Sequence, residues 1–272
     1  MADYCEGSGQ RLPQFRRMFT GGAPVFPGLL QRLAAIAPQA QITAVYGSTE
    51  AEPIAHIDYA ELHPDDLSAM TQGNGLLAGH PVPEISLRIL GDRWGTPIPA
   101  MSTAEFHAQT LPSGSIGEIV VSGDHVLSGY LYGQGDTETK FRVDGVPWHR
   151  TGDAGYLDGD GRLWLLGRCS AKLQDEWGTL YPFAVEAAAQ SYAGIGRSAL
   201  VAHQGKRVLL IEWAENFPTA GRRATLPALQ TALDWAHIHQ IRVCPIPVDK
   251  RHNAKVDYPA VQRRLEQMPQ DG

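Results

Sequence analysis

The stretch Thr151-Gly152-Asp153-Ala154-Gly155-Tyr156-Leu157-Asp158, continued by Gly161-Arg162-Leu163-Trp164-Leu165-Leu166-Gly167-Arg168, has the pattern of a β-hairpin. Gly159-Asp160-Gly161 separates two apolar runs, which predicts two short strands joined by a tight turn. Asp153 is expected just before the first strand and Arg168 just after the second, so strand pairing would bring them to one end. That end could hold a polar ligand, or the two side chains could form an ordinary surface ion pair.

The composition indicates a soluble globular protein. The 272 residues predict about two domains, and 43% of them are hydrophobic while 19% are charged. A net charge of -6 argues against nucleic acid or an anionic membrane as a partner. The three widely spaced cysteines are typical of a reducing compartment, and neither a signal peptide nor an apolar run of membrane-spanning length is present. The expected location is cytoplasmic.

The N-terminal part predicts a strand, a helix and a second strand. A strand within residues 14–24 ends in Gly21-Gly22-Ala23-Pro24, apolar residues at helical spacing occupy 26–37, and a strand covers 41–46. This order favours neighbouring parallel strands. The turn Gly21–Pro24 and the loop Gly47-Ser48-Thr49-Glu50 should then lie side by side beyond the carboxyl ends of the strands, where ligands of α/β sheets gather.

The remainder predicts a β-rich segment and then a small α+β domain. Short alternating strands broken by Gly and Pro, including 84–90 and 117–122, suggest a small β-barrel or sandwich-like subdomain, with 91–115 as a long loop. After Arg168, the expected hinge, we predict helices over 183–192, 224–239 and 258–267 and strands over 198–203, 207–213 and 241–248.

Several motifs occur in a characteristic order along the chain. They are Gly21-Gly22-Ala23-Pro24, Tyr46-Gly47-Ser48-Thr49-Glu50, the block from Gly117-Glu118-Ile119-Val120-Val121 to Gly129-Tyr130, Trp148 to Asp153, Gly167-Arg168, and Lys255. This ordered set resembles the acyl-adenylate-forming (AMP-binding) superfamily of acyl-CoA synthetases, peptide-synthetase adenylation domains and related ligases.

The resemblance implies a truncated adenylate-forming fold. Residues 1–168 would be the C-terminal part of the large AMP-binding domain, with an α/β segment over 1–72 and a β-barrel-like subdomain over 73–168. Residues 169–272 would be a mobile α+β C-terminal domain. The implied activity is ATP-dependent activation of a carboxylic acid as acyl-AMP.

The resemblance also implies roles for individual residues. Gly21, Gly22, Ala23, Pro24 and Tyr46 would contact the adenine of ATP or AMP, within a site that includes Gly47 and Ser48. Thr49 would hydrogen-bond the α-phosphate, and Glu50 would hold Mg²⁺, a hard cation that prefers oxygen ligands. Asp153 would accept hydrogen bonds from the ribose hydroxyls, and Arg168 would reach the ribose or a phosphate.

Lys255 matches the lysine that, in this superfamily, bridges the attacking carboxylate and the α-phosphate. The segment Arg251-His252-Asn253-Ala254-Lys255 departs from the commoner Ser-Gly before that lysine. Together with Gly178-Thr179-Leu180-Tyr181 and Val185-Glu186 it is similar to the β-lactone synthetases of bacterial olefin biosynthesis. This branch implies a β-hydroxy fatty acid whose own hydroxyl closes the lactone, whereas CoA and a carrier protein stay open as alternative acceptors.

The phosphate loop of the superfamily, a Ser/Thr/Gly-rich run that ends in Gly-x-Pro-Lys, does not occur in the 272 residues. We therefore expect the chain to be a C-terminal portion that needs an N-terminal half, for instance from a separate chain, for activity. The alternatives are a non-catalytic fragment that binds nucleotide or another protein, and an adenylation piece that serves a carrier protein. Uncovered apolar residues would favour self-association, namely Phe15, Met18, Phe19, Ile42 and Val45.

Overall fold

A computed structural model describes residues 1–215, 217–250 and 254–268. The chain divides into two compact units, one of residues 1–67 and 76–170, the other of residues 68–75 and 171–272. None of the described helices is long and apolar enough to cross a membrane.

The first unit is built on a mixed nine-stranded sheet. Its strands are β1 (Arg17–Thr20), β2 (Gln41–Ser48), β3 (Ala51–Asp58), β4 (Leu76–Pro81), β5 (Ser86–Leu90), β6 (Gly117–Ser122), β7 (Lys140–Val143), β8 (Val146–Leu157) and β9 (Leu163–Arg168). Its helices are α1 (Ala2–Ser8), α2 (Pro27–Ile36), α3 (Pro64–Thr71, which continues into the second unit), α4 (Thr103–Gln109) and α5 (Asp136–Thr139).

The strand order confirms the predicted α/β beginning. β1 and β2, which α2 connects along the chain, pair directly with each other in parallel. From β2 the strand order in the sheet continues β3-β4-β9-β8-β6-β5, and β7 pairs with β8. The sequence analysis did not include β3 and β4, although they join the first strands to the β-rich ones. Consequently the predicted α/β and β-rich segments share one hydrogen-bonded sheet.

The hairpin forms with the predicted turn, but its first strand is longer than expected. β8 begins at Val146 because its first half already pairs with β6 and β7. Asp153 therefore lies inside the strand, directly opposite Arg168, the last residue of β9. The expectation that the two residues flank the strands was wrong, whereas the expectation that pairing brings them together is confirmed.

A buried ion pair fastens the predicted loop 91–115 to the sheet. The side chains of Arg150 on β8 and Glu118 on β6 are 1% and 0% exposed, and Arg150 Nη2 lies 2.6 Å from Glu118 Oε2. Arg150 also donates to the carbonyl of Thr96 at 2.7 Å. The segment is not merely a loop, because Ser102 caps a short helix, α4, by accepting a hydrogen bond from the N–H of Glu105.

The second unit is a small α+β structure, as predicted. Its elements are β10 (Leu173–Asp175), β11 (Gly178–Leu180), α6 (Pro182–Gln190), β12 (Ile195–His203), β13 (Lys206–Trp213), α7 (Thr219–Ala232), β14 (Gln240–Val243) and α8 (Tyr258–Gln267). β12 and β13 are antiparallel, β14 adds in parallel to β13, and β10 and β11 form a separate hairpin.

Two elements of the second unit end well before their predicted last residues. The helix predicted over 224–239 is α7, which ends seven residues earlier because a 3₁₀ turn and a left-handed residue, His237, follow it. The strand predicted to reach Val248 ends at Val243, since Pro245 and Pro247 cannot donate to a ladder. Arg251, His252 and Asn253, which carry part of the β-lactone synthetase resemblance, lie outside the described residues.

The predicted apolar surface is only partly present. Phe19 is 68% exposed and Phe15 is 37% exposed, but Ile42 is buried at 3% because it lies on the inner face of β2. Including Ile42 among the uncovered residues was wrong.

Breaking the buried pair should destabilise the first unit. Arg150→Ala leaves the Glu118 carboxylate buried without a partner, so we expect a loss of about 3–5 kcal/mol in the free energy of unfolding. Replacing both residues by apolar ones (Arg150→Met with Glu118→Leu) should recover most of it. Denaturant titration measures both. Arg32→Ala, which removes exposed ion pairs to Asp3 and Glu6, is the matched control and should cost less than about 1 kcal/mol. Equal losses in Arg150→Ala and Arg32→Ala would contradict this account.

The second unit should become less stable as the pH rises. Burial raises the pKa of Glu186 to about 7, although the N–H of Leu200 and the hydroxyl of Tyr258 both donate to it. The folded value lies above the ordinary 4.5, so the folded state retains a proton that the unfolded chain has lost. Stability is therefore full below the unfolded pKa and falls, by at most about 3 kcal/mol, as the pH passes through the folded pKa.

Glu186→Gln removes the titrating group and should flatten this dependence, which unfolding titrations at a series of pH values would measure. Glu266→Gln, at an exposed position on α8, should leave it unchanged. An unaltered pH dependence in Glu186→Gln would assign it to another group.

Candidate functional site

The paired ends of β8 and β9 hold a carboxylate between two donors. The Tyr46 hydroxyl donates to Asp153 Oδ2 at 2.9 Å, and Arg168 Nη1 donates to Asp153 Oδ1 at 3.1 Å. The side chain of Asp153 is 18% exposed, whereas that of Arg168 is 52% exposed. Each carboxylate oxygen retains a second lone pair, so the group can accept further hydrogen bonds from a ligand.

The two donors to Asp153 both have raised pKa values. Burial, followed by the neighbouring carboxylate, raises the pKa of Tyr46 well above its usual value, so Tyr46 stays a neutral donor. Burial alone would lower the pKa of Arg168, but Asp153 outweighs it and the pKa is raised. A fixed neutral donor and a cation therefore surround the carboxylate.

The turn Gly21–Pro24 lies beside the strand that carries Tyr46. A Cβ on Gly21 would come within 2.7 Å of the Val45 carbonyl oxygen, so only glycine allows this approach. Gly22 has a φ of +77°, which also favours glycine. The turn is therefore placed beside β2 at Val45, the residue before Tyr46.

The segment Gly47–Glu50 is tighter than predicted. Gly47 and Ser48 belong to β2, Ser48 pairs with Ala51, and Thr49 and Glu50 form the turn to β3. Thr49 is exposed and Glu50 is half-buried. Ser48 Oγ is buried and makes no hydrogen bond within the described residues.

A loop after β6 holds Glu50 by backbone and side chain. The Leu127 N–H donates to the Glu50 carbonyl at 2.7 Å, and the Tyr130 hydroxyl donates to Glu50 Oε1, also at 2.7 Å. Burial acts to raise the pKa of Glu50, but hydrogen bonds, led by that of Tyr130, outweigh it and the pKa is lowered. Glu50 is thus held as an ionised carboxylate.

A buried lysine lies behind this loop. Lys140 Nζ donates to the Leu127 carbonyl, lies 3.1 Å from His149 Nδ1, and is 5.3 Å from the centre of the Tyr130 ring. Burial, then the charge of Lys140, lowers the pKa of His149 to about 4. A neutral imidazole can accept from the ammonium, so Lys140 stays bound beneath the loop that positions Glu50.

Lys255 belongs to the second unit and is not part of the cluster described above. Its backbone is fixed by Asp249, which accepts from the Lys255 N–H at 3.0 Å and donates to the Lys255 carbonyl at 2.8 Å. The residue is exposed, and its ammonium makes no ion pair with any described residue.

The described residues contain no group of three or more His, Cys, Asp or Glu side chains able to hold a metal ion. A cation at Glu50 would therefore take its other ligands from solvent and from the phosphates of a substrate, which is the usual arrangement for Mg²⁺.

Comparison with known proteins identifies the family. Residues 2–131 match the family model described as "AMP-binding enzyme". The chain is 33% identical over 269 residues to the olefin beta-lactone synthetase of Stenotrophomonas maltophilia, an alignment that covers 91% of this chain and 46% of that protein. The chain belongs to the AMP-binding enzyme family. A second olefin beta-lactone synthetase, from Xanthomonas campestris pv. campestris, is also 33% identical, over 94% of this chain and 47% of that protein.

The fold agrees with that of solved adenylate-forming enzymes. The anthranilate CoA ligase AuaEII, solved in complex with anthranoyl-AMP, superposes with a TM-score of 0.66 at 16% identity and covers 93% of this chain and 46% of that one. The predicted fold class, α/β followed by α+β as in adenylate-forming enzymes, is confirmed. The chain spans about half the length of the curated relatives that it matches.

Three residues that hold Glu50 or the loop around it were not predicted from the sequence. Tyr130 and His149 lie within motifs that carry the resemblance but were assigned no role, and Lys140 lies in none of those motifs. The usable signal was the sequence Lys140-Phe141-Arg142-Val143, in which a lysine begins a strand with alternating apolar residues. Its inward position became clear only from the pairing of Lys140 with His149.

Removing the Tyr130 hydroxyl should raise the pKa of the Glu50 carboxyl. Tyr130→Phe keeps the ring but deletes the hydrogen bond that most favours the ionised form. A carboxyl ¹³C NMR titration of Glu50 measures the change. Tyr132→Phe is the matched control, because Tyr132 is 89% exposed and should have no effect. An unchanged Glu50 titration in Tyr130→Phe would show that this hydrogen bond does not set the charge of the site.

Proposed function

We propose that these residues form the ribose and metal side of an acid-activating site, which works in an enzyme that forms acyl-AMP from ATP and a carboxylic acid. The observation that carries the proposal is the position of Asp153, held between Tyr46 and Arg168. Tyr46 lies on β2, which has the Gly21 turn beside Val45 and leads into the turn that carries Glu50. A ribose diol needs such a fixed acceptor. Membership of the AMP-binding family supports this assignment.

Each residue has a task that its surroundings suit. The close backbone approach at Gly21 and the ring of Tyr46 would receive the adenine, and Asp153 would accept from the ribose hydroxyls. Thr49, exposed at the turn, would donate to the α-phosphate. Glu50, whose pKa is lowered, would hold Mg²⁺, which when bound offsets the negative charge of the phosphates.

The reaction balances as two displacements. A carboxylate oxygen of the acid forms a bond to the α-phosphorus, and the bond to the leaving pyrophosphate breaks with its electron pair. Because two anions approach each other in this step, a cation in line with them lowers the barrier. Lys255 would supply that cation from the second unit.

The acceptor in the second step is proposed to be the substrate itself. A β-lactone ring contains the carbonyl carbon and the oxygen on the β-carbon, so it arises from a 3-hydroxy acid. The hydroxyl oxygen attacks the acyl carbon, AMP leaves, and the hydroxyl proton passes to the medium. The support is the resemblance to olefin beta-lactone synthetases. A measurement of lactone and acyl-CoA products would show whether a thiol can replace the hydroxyl.

Nucleotide binding by the chain itself is the first test. Asp153→Ala should weaken AMP binding, measured by isothermal titration calorimetry, by about tenfold or more, since it deletes charge-assisted hydrogen bonds. Asp160→Ala, in the exposed turn of the same hairpin, is the matched control and should leave the affinity unchanged. Equal affinities for Asp153→Ala and the unaltered chain would contradict the ribose assignment.

Activity is tested on the chain combined with the phosphate-loop half of a relative. We expect ATP–pyrophosphate exchange that depends on a 3-hydroxy fatty acid and is lost in Lys255→Ala, and a lactone product without added thiol. Acyl-CoA formation, or transfer to a phosphopantetheine carrier, would overturn the acceptor assignment. Nucleotide binding without exchange for any acid would favour the non-catalytic alternative.

A further inference from the structure

Two histidines lie directly opposite each other on neighbouring strands. His56 of β3 pairs with His80 of β4 in an antiparallel ladder. Residues paired in this way point to the same face of the sheet, with Cβ atoms about 4.5–5.5 Å apart. The two imidazole rings therefore leave the sheet side by side.

Both rings are exposed and free to turn. Neither imidazole makes a hydrogen bond, an ion pair or a ring contact with another described residue, although their flanking residues Ala55, Ile57 and Gly79 are buried. The backbones of the two strands approach closely beneath them, since a Cβ on Gly79 would lie only 2.1 Å from the His56 carbonyl oxygen. The paired strands thus carry two unoccupied nitrogen donors.

The pair is separate from the proposed nucleotide site. On β2, Tyr46 pairs with Ala55 and Val45 pairs with His56. Because side chains alternate between faces along a strand, the imidazole of His56 lies on the face opposite to the ring of Tyr46. A ligand bound by the histidines would not compete with one bound by Tyr46 and Asp153.

We propose that His56 and His80 chelate a divalent transition-metal ion. Two imidazole nitrogens that each lie about 2.0–2.1 Å from one ion are about 3 Å apart, a separation that side chains on opposed Cβ atoms can reach. Imidazole suits Cu²⁺, Ni²⁺ and Zn²⁺, with Cu²⁺ expected to bind most tightly of the three. Water completes the coordination, because the described residues offer no third His, Cys, Asp or Glu there.

His237 and His239, which both contact Trp177, are less suitable chelators. The ring of His237 stacks on Trp177 at 5.2 Å, and that of His239 meets the same ring edge-on at 5.1 Å. His239 Nδ1 also accepts from the Arg207 N–H. Binding a metal there would break these contacts, whereas binding at His56 and His80 breaks none.

The test titrates the full chain with Cu²⁺. We expect one site by calorimetry, an electron paramagnetic resonance spectrum with hyperfine coupling to two imidazole nitrogens, and a rise in melting temperature with added metal. His56→Ala and His80→Ala should each weaken binding by about tenfold or more, since loss even of an outer contact to a metal ligand costs about 10–100-fold. Each variant should also remove coupling to one nitrogen.

Two controls separate this site from general histidine binding. His107→Ala removes an exposed, solitary imidazole on α4, and His239→Ala alters the pair beside Trp177. Both should leave the Cu²⁺ affinity and the spectrum unchanged. Retention of two-nitrogen coupling in His56→Ala or His80→Ala, or its loss in His239→Ala, would overturn the proposal. AMP affinity reports on the proposed function independently, and it should be the same with and without Cu²⁺.

Discussion

The ion pair between Arg150 and Glu118 is the constraint on which the first unit depends. A buried guanidinium needs hydrogen-bond acceptors for its N–H groups. Arg150 donates to the carboxylate of Glu118 and to carbonyls of the 91–115 segment. Its guanidinium carbon also lies 5.2 Å from the centre of the Trp94 ring. The segment is thereby drawn onto β8. Trp94 then covers Gly152, where a Cβ would lie 2.8 Å from its ring. The strand can pass beneath the indole only as glycine, and the next residue is Asp153.

Asp153 is held in one orientation by this arrangement, yet its carboxylate can still accept hydrogen bonds from a ligand. Its two oxygens already accept from Tyr46 and Arg168, yet each oxygen has a second lone pair for a further donor. A ligand therefore meets an acceptor whose orientation is already fixed by neighbouring strands. The cost of ordering this side chain is met during folding instead of during binding. The same holds for Glu50, which Tyr130 orients from a loop eighty residues away in sequence.

The elements that the sequence predicted correctly are those that depend on local interactions along the chain. The hairpin, the parallel β1–β2 pair and α8 depend on local periodicity and turn residues, and the sequence predicted all three. β3 and β4 were missed because Pro53 interrupts one strand and Gly79 the other, so neither shows clean alternation. The α4 helix was missed because glycines and prolines surround its seven residues, which hid the Ser102–Glu105 capping box.

For the site, motif resemblance supplied Asp153, Arg168, Tyr46 and Glu50. In the structure the first three form one hydrogen-bonded cluster, whereas Glu50 is held by Tyr130. The resemblance gave no role to Lys140 or His149. A lysine at the start of a strand is usually solvated, and only the pairing of β7 with β8 turns it inward against an imidazole. Long-range pairing of this kind leaves no mark in local sequence, which is why the residues that position Glu50 were the ones not predicted.

The charges of the first unit argue that the proposed chemistry needs the second unit. Of the two cations next to the candidate site, Arg168 is engaged by Asp153, and Lys140 is buried against the Leu127 carbonyl and His149. If Arg168 or Lys140 moved to offset the charge of a carboxylate that approaches a phosphate, the hydrogen bonds that it now makes would be lost. Lys255 has no such commitment within the described residues, and only its backbone is held, by Asp249. An ammonium on a four-carbon stem is suited to a charge that develops only during reaction. In the proposed reaction, Asp153 would hold the ribose and Lys255 would supply positive charge at the step that requires it.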